Sequence, residues 1–327
     1  MSTLIIESCK IDAIRPHNNA DSIEIAIIKG WQTVVKKGEF KIGDNVIYFP
    51  PDSIIPEHLA EQYGVKNYLG QSHMGLKVKA ARLRGEASYG FVVKTDLPEG
   101  TDCKDLLGIK KYEPPFVPSE GDCASPHPLF HPYTDIENIR NFPGLIKDGE
   151  EVVFTEKIHG QNYRVGLIND EFMVGSRKTQ KKQGNNDWWN LLHDKHYELL
   201  KYLGSNTILF GEKFGVGVQD MHYGLKGQGL RFFDICQNLK YLDYDKKEEL
   251  FKKFDIETVP ILYRGSFSLK VVEEYTSGPT NVCDPKIAGK FSGREGIVIT
   301  KTKNEFDRTI LKSISVDYLG RKNPVDN

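Results

Sequence analysis

Four charged residues lie beside short apolar runs of the sequence, where a strand would hold each side chain in a fixed direction. Lys157 follows "EVVFTE" in the stretch around "FTEKIHGQN", and the other three are Glu212, Glu295 and Lys312. A polar side chain at a strand end can be aimed accurately, because the strand fixes its backbone. Each residue alone has an ordinary explanation, since a lysine before a turn is usually solvated and a charge beside an apolar strand discourages aggregation. Taken together, they form a candidate reaction site with Lys157 as its candidate nucleophile.

The common glycine-rich and serine motifs for nucleotide binding and hydrolysis are missing. The sequence contains no G-x-x-x-x-G-K-[ST] loop, no G-x-G-x-x-G that opens a helix after a strand, and no G-x-S-x-G. The glycines of "FGVGVQDMHYGLKGQG" have a different spacing, and we expect them in a loop between strands. If this protein binds a nucleotide, it does so without a P-loop or a Rossmann turn.

The segments around Lys157 are strand-like: "EVVFTEK", "NYRVGLI" and "EFMVGSR" are separated by turns. Alternate residues of a strand point to opposite faces, so Asn162 and Arg164 should face away from Tyr163 and Val165. Later segments, "NTILFGE", "LRFFDIC", "REGIVIT" and "RTILKSIS", also predict strands, and "DYDKKEELFKKF" predicts a helix. Strands interrupted by helices without regular β-α-β alternation favour an α+β fold with antiparallel sheets.

The clearest helix signal is "NNDWWNLLHDKHYELLKYLG". Asn186 or Asp187 can cap its N-terminus, and Gly204 can end it. One apolar stripe is formed by Trp188, Leu191, Leu192, Leu199 and Leu203. The sequence therefore predicts a helix that begins near Asp187.

The first third of the chain is rich in short alternating segments between glycine turns, such as "SIEIAIIKGWQTVVKK", "GDNVIYFPP", "LKVKAARLRG" and "YGFVVK". About five such strands in roughly a hundred residues predict a small β-barrel, either an OB-fold or an SH3-like barrel. The proline-rich residues 113–135 lack periodicity and predict a semi-extended linker. The predicted domains are thus a β-barrel at 1–112 and a second domain at 136–327.

Composition is that of a soluble globular protein, with 39% hydrophobic and 27% charged residues in a chain of 327. Its 44 Lys and Arg against 45 Asp and Glu count against a protein that coats nucleic acid, but allow a local basic groove. Two basic runs, "GLKVKAARLRG" and "GSRKTQKKQG", are present. Five scattered cysteines without a C-x-x-C pair argue against a disulfide framework and a cysteine zinc site. Short apolar runs and an N-terminus without a basic segment predict a cytoplasmic protein without a membrane span.

The charged residues belong to a series of motifs that resembles the covalent nucleotidyltransferases, the superfamily of ATP-dependent DNA and RNA ligases and mRNA capping enzymes. The first motif, K-x-[DH]-G, matches the four residues from Lys157, and the third matches "LFGE" with Glu212. The aromatic-rich strand that follows matches "LRFFDI". The fourth motif, E-G-x-V, matches "EGIVI" with Glu295, and the fifth matches "ILKSIS" with Lys312. The whole chain, in which the barrel precedes these motifs, resembles the Deinococcus-type RNA ligases, and its first motif looks most like that of phage-type nick-sealing RNA ligases.

The resemblance implies a reaction in which Lys157 attacks the α-phosphorus of ATP, giving lysyl-AMP and pyrophosphate. AMP would then pass to a 5'-phosphate, and a 3'-hydroxyl would displace it. An ordinary lysine has a pKa of about 10.4, so the site has to lower it, and a divalent metal, Mg²⁺ or Mn²⁺, would do so. Glu295 would organise this metal, and Lys312 would hold the α-phosphate.

Further matched positions imply a nucleotide-binding set. Glu212 would accept a hydrogen bond from the ribose, and His159 would shape the turn as the variant of an aspartate position. Phe233 would stack on adenine, with Phe232 as the alternative, since the strand register cannot be read from sequence. Asn162 and Arg177 match positions that touch the sugar and the substrate phosphate. The full set is Glu156, Ile158, His159, Gly160, Asn162, Arg177, Glu212 and Phe233.

One position departs from the family pattern. The fifth motif often carries two lysines one residue apart, and Ile310 stands where the first would be. Arg308, Lys301 or Lys303 could supply that charge.

The implied partner is a nucleic acid with a strand break, RNA or an RNA/DNA duplex, with no membrane and no obligatory protein partner. We expect the basic strand of the barrel to bind the duplex on the 3'-hydroxyl side of the break, through Lys77, Lys79, Arg82 and Arg84. The alternative is a barrel that only stabilises the second domain.

Three other functions stay open at this point. DNA ligases and capping guanylyltransferases usually place an OB domain after the fifth motif, whereas here the β-rich domain comes first. NAD⁺-dependent DNA ligases are disfavoured further because the chain lacks their four-cysteine zinc site. A non-catalytic OB-fold RNA-binding protein is the alternative from another class, and covalent labelling by ATP or GTP would separate these functions.

Overall fold

The structure, a computed structural model, describes residues 3–115, 123–303 and 308–321. Among these residues the chain divides into two compact units. The N-terminal unit consists of residues 3–115 and 319–321, and the C-terminal unit of residues 123–303 and 308–318. Residues 116–122 of the predicted linker lie outside the described residues.

The N-terminal unit is built from short strands. They are β1 (Ser8–Lys10), β2 (Ala13–Pro16), β3 (Ile23–Ile28), β4 (Trp31–Lys36), β5 (Asn45–Phe49), β6 (Ser53–Ile55), β7 (Gly70–Ser72), β8 (Gly75–Lys77), β9 (Ala80–Leu83), β10 (Glu86–Tyr89), β11 (Phe91–Lys94) and β12 (Lys110–Lys111), with helix α1 (Glu57–Gln62). Their sheets have the orders β1-β5-β11, β2-β3-β4, β9-β10 and β12-β6-β8-β7. The predicted strand "LKVKAARLRG" is two strands, because β8 pairs with β6 and β7 whereas β9 pairs with β10. A chain that changes sheets in this way makes a corner between them.

The C-terminal unit contains longer strands and four helices. They are β13 (Cys123–Ala124), β14 (Glu137–Asn138), β15 (Glu151–Lys157), β16 (Gln161–Ile168), β17 (Glu171–Ser176), β18 (Gln180–Lys181), β19 (Thr207–Gly215), β20 (Gln228–Gln237), β21 (Lys240–Tyr241), β22 (Ile261–Ser266), β23 (Gly296–Lys301) and β24 (Ile310–Ile314), with α2 (Asp194–Leu203), α3 (Tyr244–Lys253), α4 (Leu269–Thr276) and, at its end, α5 (Val316–Leu319).

Two sheets form the frame of the C-terminal unit. The seven-stranded sheet has the order β13-β18-β17-β16-β19-β20-β21, and the five-stranded sheet has the order β14-β24-β23-β15-β22. Neighbouring strands are antiparallel apart from the parallel pair of β14 and β24. The predicted α+β class with antiparallel sheets is confirmed.

The alternation predicted for β16 sorts the two faces of the seven-stranded sheet. Tyr163, Val165 and Leu167 lie in one apolar cluster with residues of α2 and α3, such as Leu199. Arg164 lies on the other face, where its guanidinium donates to a main-chain carbonyl at 2.6 Å. The helices therefore cover one face, and the opposite face carries the polar residues of β16.

The predicted helix begins later than its sequence pattern indicates. The stretch Trp189–Leu191 forms only a 3-10 turn, and α2 starts at Asp194 after His193 as its N-cap. The Asn186 side chain accepts from two N–H groups of the turn, which competes with regular helix. Gly204 ends the helix as predicted, with φ of +86°. Within the described ranges no helix combines the length and the apolar character needed to cross a bilayer.

The described half of the predicted linker packs against the seven-stranded sheet. β13 pairs with β18 as an edge strand. Phe130 and Tyr133 are 2% and 5% exposed and share an apolar cluster with Phe210. Prolines remove the periodic signal from this segment, but they do not prevent its aromatic side chains from being buried.

Candidate active site

Lys157 and Glu295 form the centre of the candidate site. β15 ends on Lys157, and β23 begins directly after Glu295, with Lys157 opposite Gly296 in the register. The Lys157 Nζ donates to Glu295 Oε1 at 2.5 Å, and Glu295 is only 1% exposed. The Glu295 carbonyl accepts from the Ser315 N–H at 2.9 Å, which fixes the backbone that carries the carboxylate. Strand pairing thus joins the first and fourth motifs.

Lys312 lies on the same face of the five-stranded sheet as Lys157. Thr155 is opposite Val298, which is opposite Lys312, and Thr155 precedes Lys157 by two residues in β15. Residues in these positions share a face. Lys312 is buried, so its positive charge is poorly solvated and lies on the same face of the sheet as Lys157.

Glu212 belongs to the seven-stranded sheet and lies at the same site. It lies opposite Asn162 in the register of β19 and β16, so the two side chains share a face. It was predicted at a strand end, but pairing with β20 continues to Gly215 and places it inside β19. Desolvation raises the pKa of Glu212 to about 8, with Lys157 opposing the shift and Glu295 adding to it. At neutral pH Glu212 is therefore mostly protonated, and it can donate a hydrogen bond as well as accept one.

Gly160 is required by the close approach of the first-motif turn to β19. A Cβ at Gly160 would lie 2.3 Å from the Lys213 carbonyl oxygen and 2.9 Å from Glu212 Cγ. Neither approach is compatible with a side chain. The glycine of the first motif therefore has a steric reason in this chain.

His159 is buried and held by side chains from distant parts of the C-terminal unit. Its main-chain N–H donates to the Tyr223 hydroxyl at 2.8 Å, and its Nε2 lies 2.9 Å from Asp220 Oδ1. Its Nδ1 lies 3.0 Å from the Tyr318 hydroxyl and 3.4 Å from Glu295 Oε2. These contacts join the first-motif turn to the loop after β19 and to α5.

The side chains of Glu156 and Ile158 are buried against other residues of the protein. Glu156 is 1% exposed and accepts hydrogen bonds from the Thr280 hydroxyl at 2.5 Å and the Asn281 N–H at 2.6 Å. Ile158 is 3% exposed in an apolar cluster with Phe214. Burial raises the pKa of Glu156, and these hydrogen bonds oppose the rise. If these two residues contact a nucleotide, they therefore do so through main-chain atoms.

Phe232 and Phe233 lie on opposite faces of β20. Phe232 is 1% exposed and packs beneath α2 and α3, in the cluster that contains Tyr163. Phe233 is partly exposed on the other face, where its ring centroid is 4.9 Å from that of Tyr133. The register that the sequence left open thus puts Phe233 on the face that carries Glu212.

Arg177 follows β17 and pairs with Asp135, at the described end of the predicted linker. The ion pair is partly exposed, with side-chain exposures of 36% and 52%. A substrate phosphate that binds Arg177 would therefore have to replace the Asp135 carboxylate.

The cations considered as replacements for the missing fifth-motif lysine lie elsewhere. Lys301 lies on the other face of β23 and pairs with Glu150 at 2.7 Å. Arg308 pairs with the buried Asp234, and Lys303 is an exposed residue beyond the end of β23. Of the residues considered for the fifth motif, Lys312 is the one that lies on the same face of the sheet as Lys157.

Two buried oxygens of the site, Glu295 Oε2 and Asn162 Oδ1, have no hydrogen-bond partner among the residues that the structure describes. Carboxylate and amide oxygens are suitable ligands for hard divalent cations. Among the described residues, no group of three or more His, Cys, Asp and Glu side chains could hold a metal. Glu295 Oε2 therefore fits as one ligand of a cation that completes its coordination with substrate phosphate and water, as Mg²⁺ commonly does.

The four basic residues predicted to bind nucleic acid lie in the N-terminal unit and differ in exposure. Lys77 is partly buried and pairs with Asp52 at 2.6 Å. Lys79, Arg82 and Arg84 are exposed, the last at the turn between β9 and β10 with φ of +48°. Three of the four side chains are thus accessible to a ligand, while the charge of Lys77 is already balanced.

Sequence patterns missed the residues that support the motifs from a distance. These are Asp220, Tyr223, Thr280, Asn281 and Tyr318. They stand 61 to 159 residues from the side chains that they hold. No local spacing marks them, because their roles arise only when the strands and loops come together.

Comparisons with known proteins agree with this arrangement. The model of the RNA ligase family matches residues 150–314, and an OB-fold domain model matches residues 5–95. A search of curated proteins gave no match. The OB-fold alternative for the barrel is confirmed.

Solved structures of Naegleria gruberi RNA ligase are similar to nearly the whole chain. Its complex with PPi has a TM-score of 0.78 at 27% identity, covering 97% of this chain and 98% of that chain. A lysine-to-alanine mutant with ATP and Mn has a TM-score of 0.79 at 27% identity, covering 96% and 98%. A lysine-to-methionine mutant with AMP and Mn gives 0.78 at 27%, covering 96% and 98%. Since the family match includes Lys157, Glu212, Glu295 and Lys312, and covers half of the sequence, the chain belongs to the RNA ligase family.

Proposed function

We propose that this RNA ligase uses ATP to seal breaks between a 3'-hydroxyl and a 5'-phosphate, at nicks in a duplex whose 3' end is RNA. The observation that carries the proposal is the meeting of Lys157, Glu295 and Glu212 at one site, although two different sheets position them. The intermediates are lysyl-AMP on Lys157 and an adenylylated 5' end.

In the first step the Lys157 amine, after losing its proton, forms a bond to the α-phosphorus of ATP. The bond between that phosphorus and the bridging oxygen breaks, and pyrophosphate leaves. The 2.5 Å contact with Glu295 holds the amine in place at the end of β15. Glu295 would be a protein ligand of a bound Mg²⁺ or Mn²⁺, whose positive charge would lower the lysine pKa and offset the charge of the phosphates. Lys312 stabilises negative charge on the α-phosphate from the same face of the sheet.

The seven-stranded sheet holds the nucleoside. Glu212, with its raised pKa, exchanges hydrogen bonds with the ribose hydroxyls. Asn162 offers a buried amide oxygen that accepts no hydrogen bond from any described residue. Phe233 stacks on the adenine from the face that Glu212 shares. The loss of a fifth-motif lysine at Ile310 leaves Lys312 as the contact to the α-phosphate.

In the second step a phosphate oxygen at the 5' end attacks the phosphorus of lysyl-AMP, and the Lys157 amine leaves. In the third step the 3'-hydroxyl attacks the 5'-phosphate, and AMP leaves. Arg177 binds the 5'-phosphate in exchange for Asp135. Its planar guanidinium suits this role, because it can donate two parallel hydrogen bonds to a phosphate.

The OB-fold binds the duplex on the 3'-hydroxyl side of the break. Lys79, Arg82 and Arg84 carry this contact, because they are exposed on one short segment of the N-terminal unit. Lys77 contributes less than its position in the sequence indicates, since Asp52 neutralises it. OB-folds commonly bind oligonucleotides, which supports the assignment.

Nicked duplexes that differ only in the sugar of the terminal 3' nucleotide test the proposal. With ATP and Mg²⁺ we expect sealing of the ribose-ended nick, and loss of sealing in Lys157→Ala or when a chelator removes the metal. Equal sealing of the deoxyribose-ended nick would instead indicate a DNA ligase, and covalent labelling by GTP alone would indicate a capping-type enzyme. A protein that neither seals nor forms an adduct would contradict the proposal and leave an RNA-binding role.

A further inference from the structure

A tryptophan lies beside two lysines on the helix-covered face of the seven-stranded sheet. The Trp188 ring stacks on Tyr163, with centroids 5.6 Å apart and planes 10° apart. The Tyr163 hydroxyl donates to the Trp188 carbonyl at 2.7 Å. The amines of Lys181 and Lys213 lie 5.3 Å and 4.6 Å from the centroid of the Trp188 ring. We call Trp188, Lys181 and Lys213 the Trp188 cluster.

The two lysines of the cluster are buried to an unusual degree. Lys181 is 6% and Lys213 is 4% exposed, whereas Trp188 is only partly buried and opens the cluster to solvent. No carboxylate of the described residues lies within ion-pair distance of the Lys213 amine, and Asp187 acts on it only at longer range. Burial lowers the pKa of Lys213, and Asp187 and Lys181 act on it in opposite directions. A buried ammonium without a close counterion is costly, and an anion bound from outside would offset that cost.

The position of the cluster connects it with the reaction site. Lys213 directly follows Glu212 in β19, but points to the other face, and its carbonyl adjoins Gly160. Lys181 is the second-to-last residue of the run "SRKTQKK", which also contains Arg177. The cluster is therefore close along the strands to the candidate nucleotide contacts, yet it is separate from them because it lies across the sheet.

We propose that the Trp188 cluster binds the backbone of the RNA strand that carries the 5'-phosphate. The amines of Lys181 and Lys213 contact a phosphate, and the exposed edge of the Trp188 ring packs against the neighbouring nucleotide. Basic residues beside an aromatic ring are the usual means of holding a nucleic-acid strand without reading its sequence. This subsite rests on the proposed function, which supplies an RNA substrate at the adjacent site.

The salt dependence of RNA binding by the full-length protein tests the role of Lys213. A lysine that contacts a phosphate contributes about 0.9 to the slope of log affinity against log salt on a duplex. We expect Lys213→Gln to make that slope shallower by about 1 and Lys213→Arg to restore it. Lys201→Gln is the matched control, since Lys201 is exposed in the last turn of α2 and loses the same charge. A slope in Lys213→Gln equal to that of the control would overturn the proposal.

Tryptophan fluorescence gives a second measurement that does not depend on the lysines. RNA should quench the emission of the wild-type protein, and Trp188→Phe, which keeps an aromatic ring over Tyr163, should lose this change while Trp31 and Trp189 remain. Quenching that persists in Trp188→Phe would count against the cluster.

Lysyl-AMP formation without RNA separates the two proposals. A wild-type protein that forms no adduct would refute the proposed function. If the wild-type protein forms the adduct, but Lys213→Gln keeps the wild-type salt slope and Trp188→Phe keeps the quenching by RNA, the subsite alone is refuted.

Discussion

At the scale of single residues, the turn after Lys157 depends on the absence of a side chain at Gly160. In Gly160→Ala the new Cβ would meet the Lys213 carbonyl oxygen at 2.3 Å, so the turn has to move and carry the amine with it. A misplacement of about 1 Å can cost roughly 100-fold in rate, and we expect a fall of that order in lysyl-AMP formation. Gly227→Ala is the control, because a Cβ there meets nothing within 4 Å. Equal rates for the two variants would contradict the steric explanation.

Glu212 makes stability depend on pH. Its pKa is raised from 4.5 to about 8 in the folded protein, so between these values the folded state binds more protons than the unfolded state. Its contribution to stability is therefore fully present below the lower pKa and is lost as pH rises to about 8. Glu212→Gln cannot ionise, so we expect its melting temperature to fall less than that of the wild type over this pH range. Thermal melts in a series of buffers would measure this, and parallel curves for the two proteins would exclude the raised pKa.

The residues that could be predicted from sequence are those whose type alone limits their chemistry. The lysine and carboxylates of the motifs are recognisable because their order along the chain is that of a nucleotidyltransferase. The residues that hold them are not, since Asp220 and Tyr318 reach His159 only through the folded sheet. Sequence placed Glu156 in the nucleotide-binding set, but it gave no sign of the hydrogen bond that its side chain accepts from Thr280.

At the scale of elements, the adjacent rings of Phe232 and Phe233 have different roles because they lie on opposite faces of β20. Phe232→Ala should cost about 3–5 kcal/mol of stability, because it empties a site in the core beneath the helices. Phe233→Ala should have the smaller effect on stability, but raise the ATP concentration for half-maximal lysyl-AMP formation on the order of ten-fold, since base stacking is worth about 1–3 kcal/mol. Denaturant melts and an ATP titration of both variants would measure this. A loss of ATP affinity in Phe232→Ala and of stability in Phe233→Ala would mean that Phe232 is the ring that stacks on adenine.

Elements were predicted well where one periodicity acted alone. The alternation of β16 gave the correct faces, and α3 lies where its charged helical pattern indicated. The start of α2 could not be predicted, because a side-chain cap at Asn186 favours a 3-10 turn over the helix that the apolar stripe suggests. The predicted basic strand of the barrel also failed as one element, since its two halves pair in different sheets.

At the scale of the whole molecule, residues 319–321 belong to the N-terminal unit, so the chain returns to that unit at the last residue of α5. Substitution in the full chain is therefore a cleaner test of the OB-fold than deletion of it. The combined change of Lys79, Arg82 and Arg84 to Gln should spare lysyl-AMP formation, which needs no nucleic acid, and weaken sealing of nicked duplex several-fold. Time courses of the two activities would measure this.

The matched control for the barrel changes Lys36, Lys37 and Lys41 to Gln, which removes the same charge from other exposed positions of the unit. Equal sealing by the two triple variants would leave the barrel with a stabilising role only.

The central claim is that Lys157 becomes covalently adenylylated, and one measurement tests it most directly. The protein is incubated with α-labelled ATP and Mg²⁺, digested, and the labelled peptide identified by mass spectrometry. The account predicts one adenylate on the peptide that contains Lys157, released as ATP when pyrophosphate is added, and no label in Lys157→Ala. A label on another residue, or one that persists in Lys157→Ala, would contradict it.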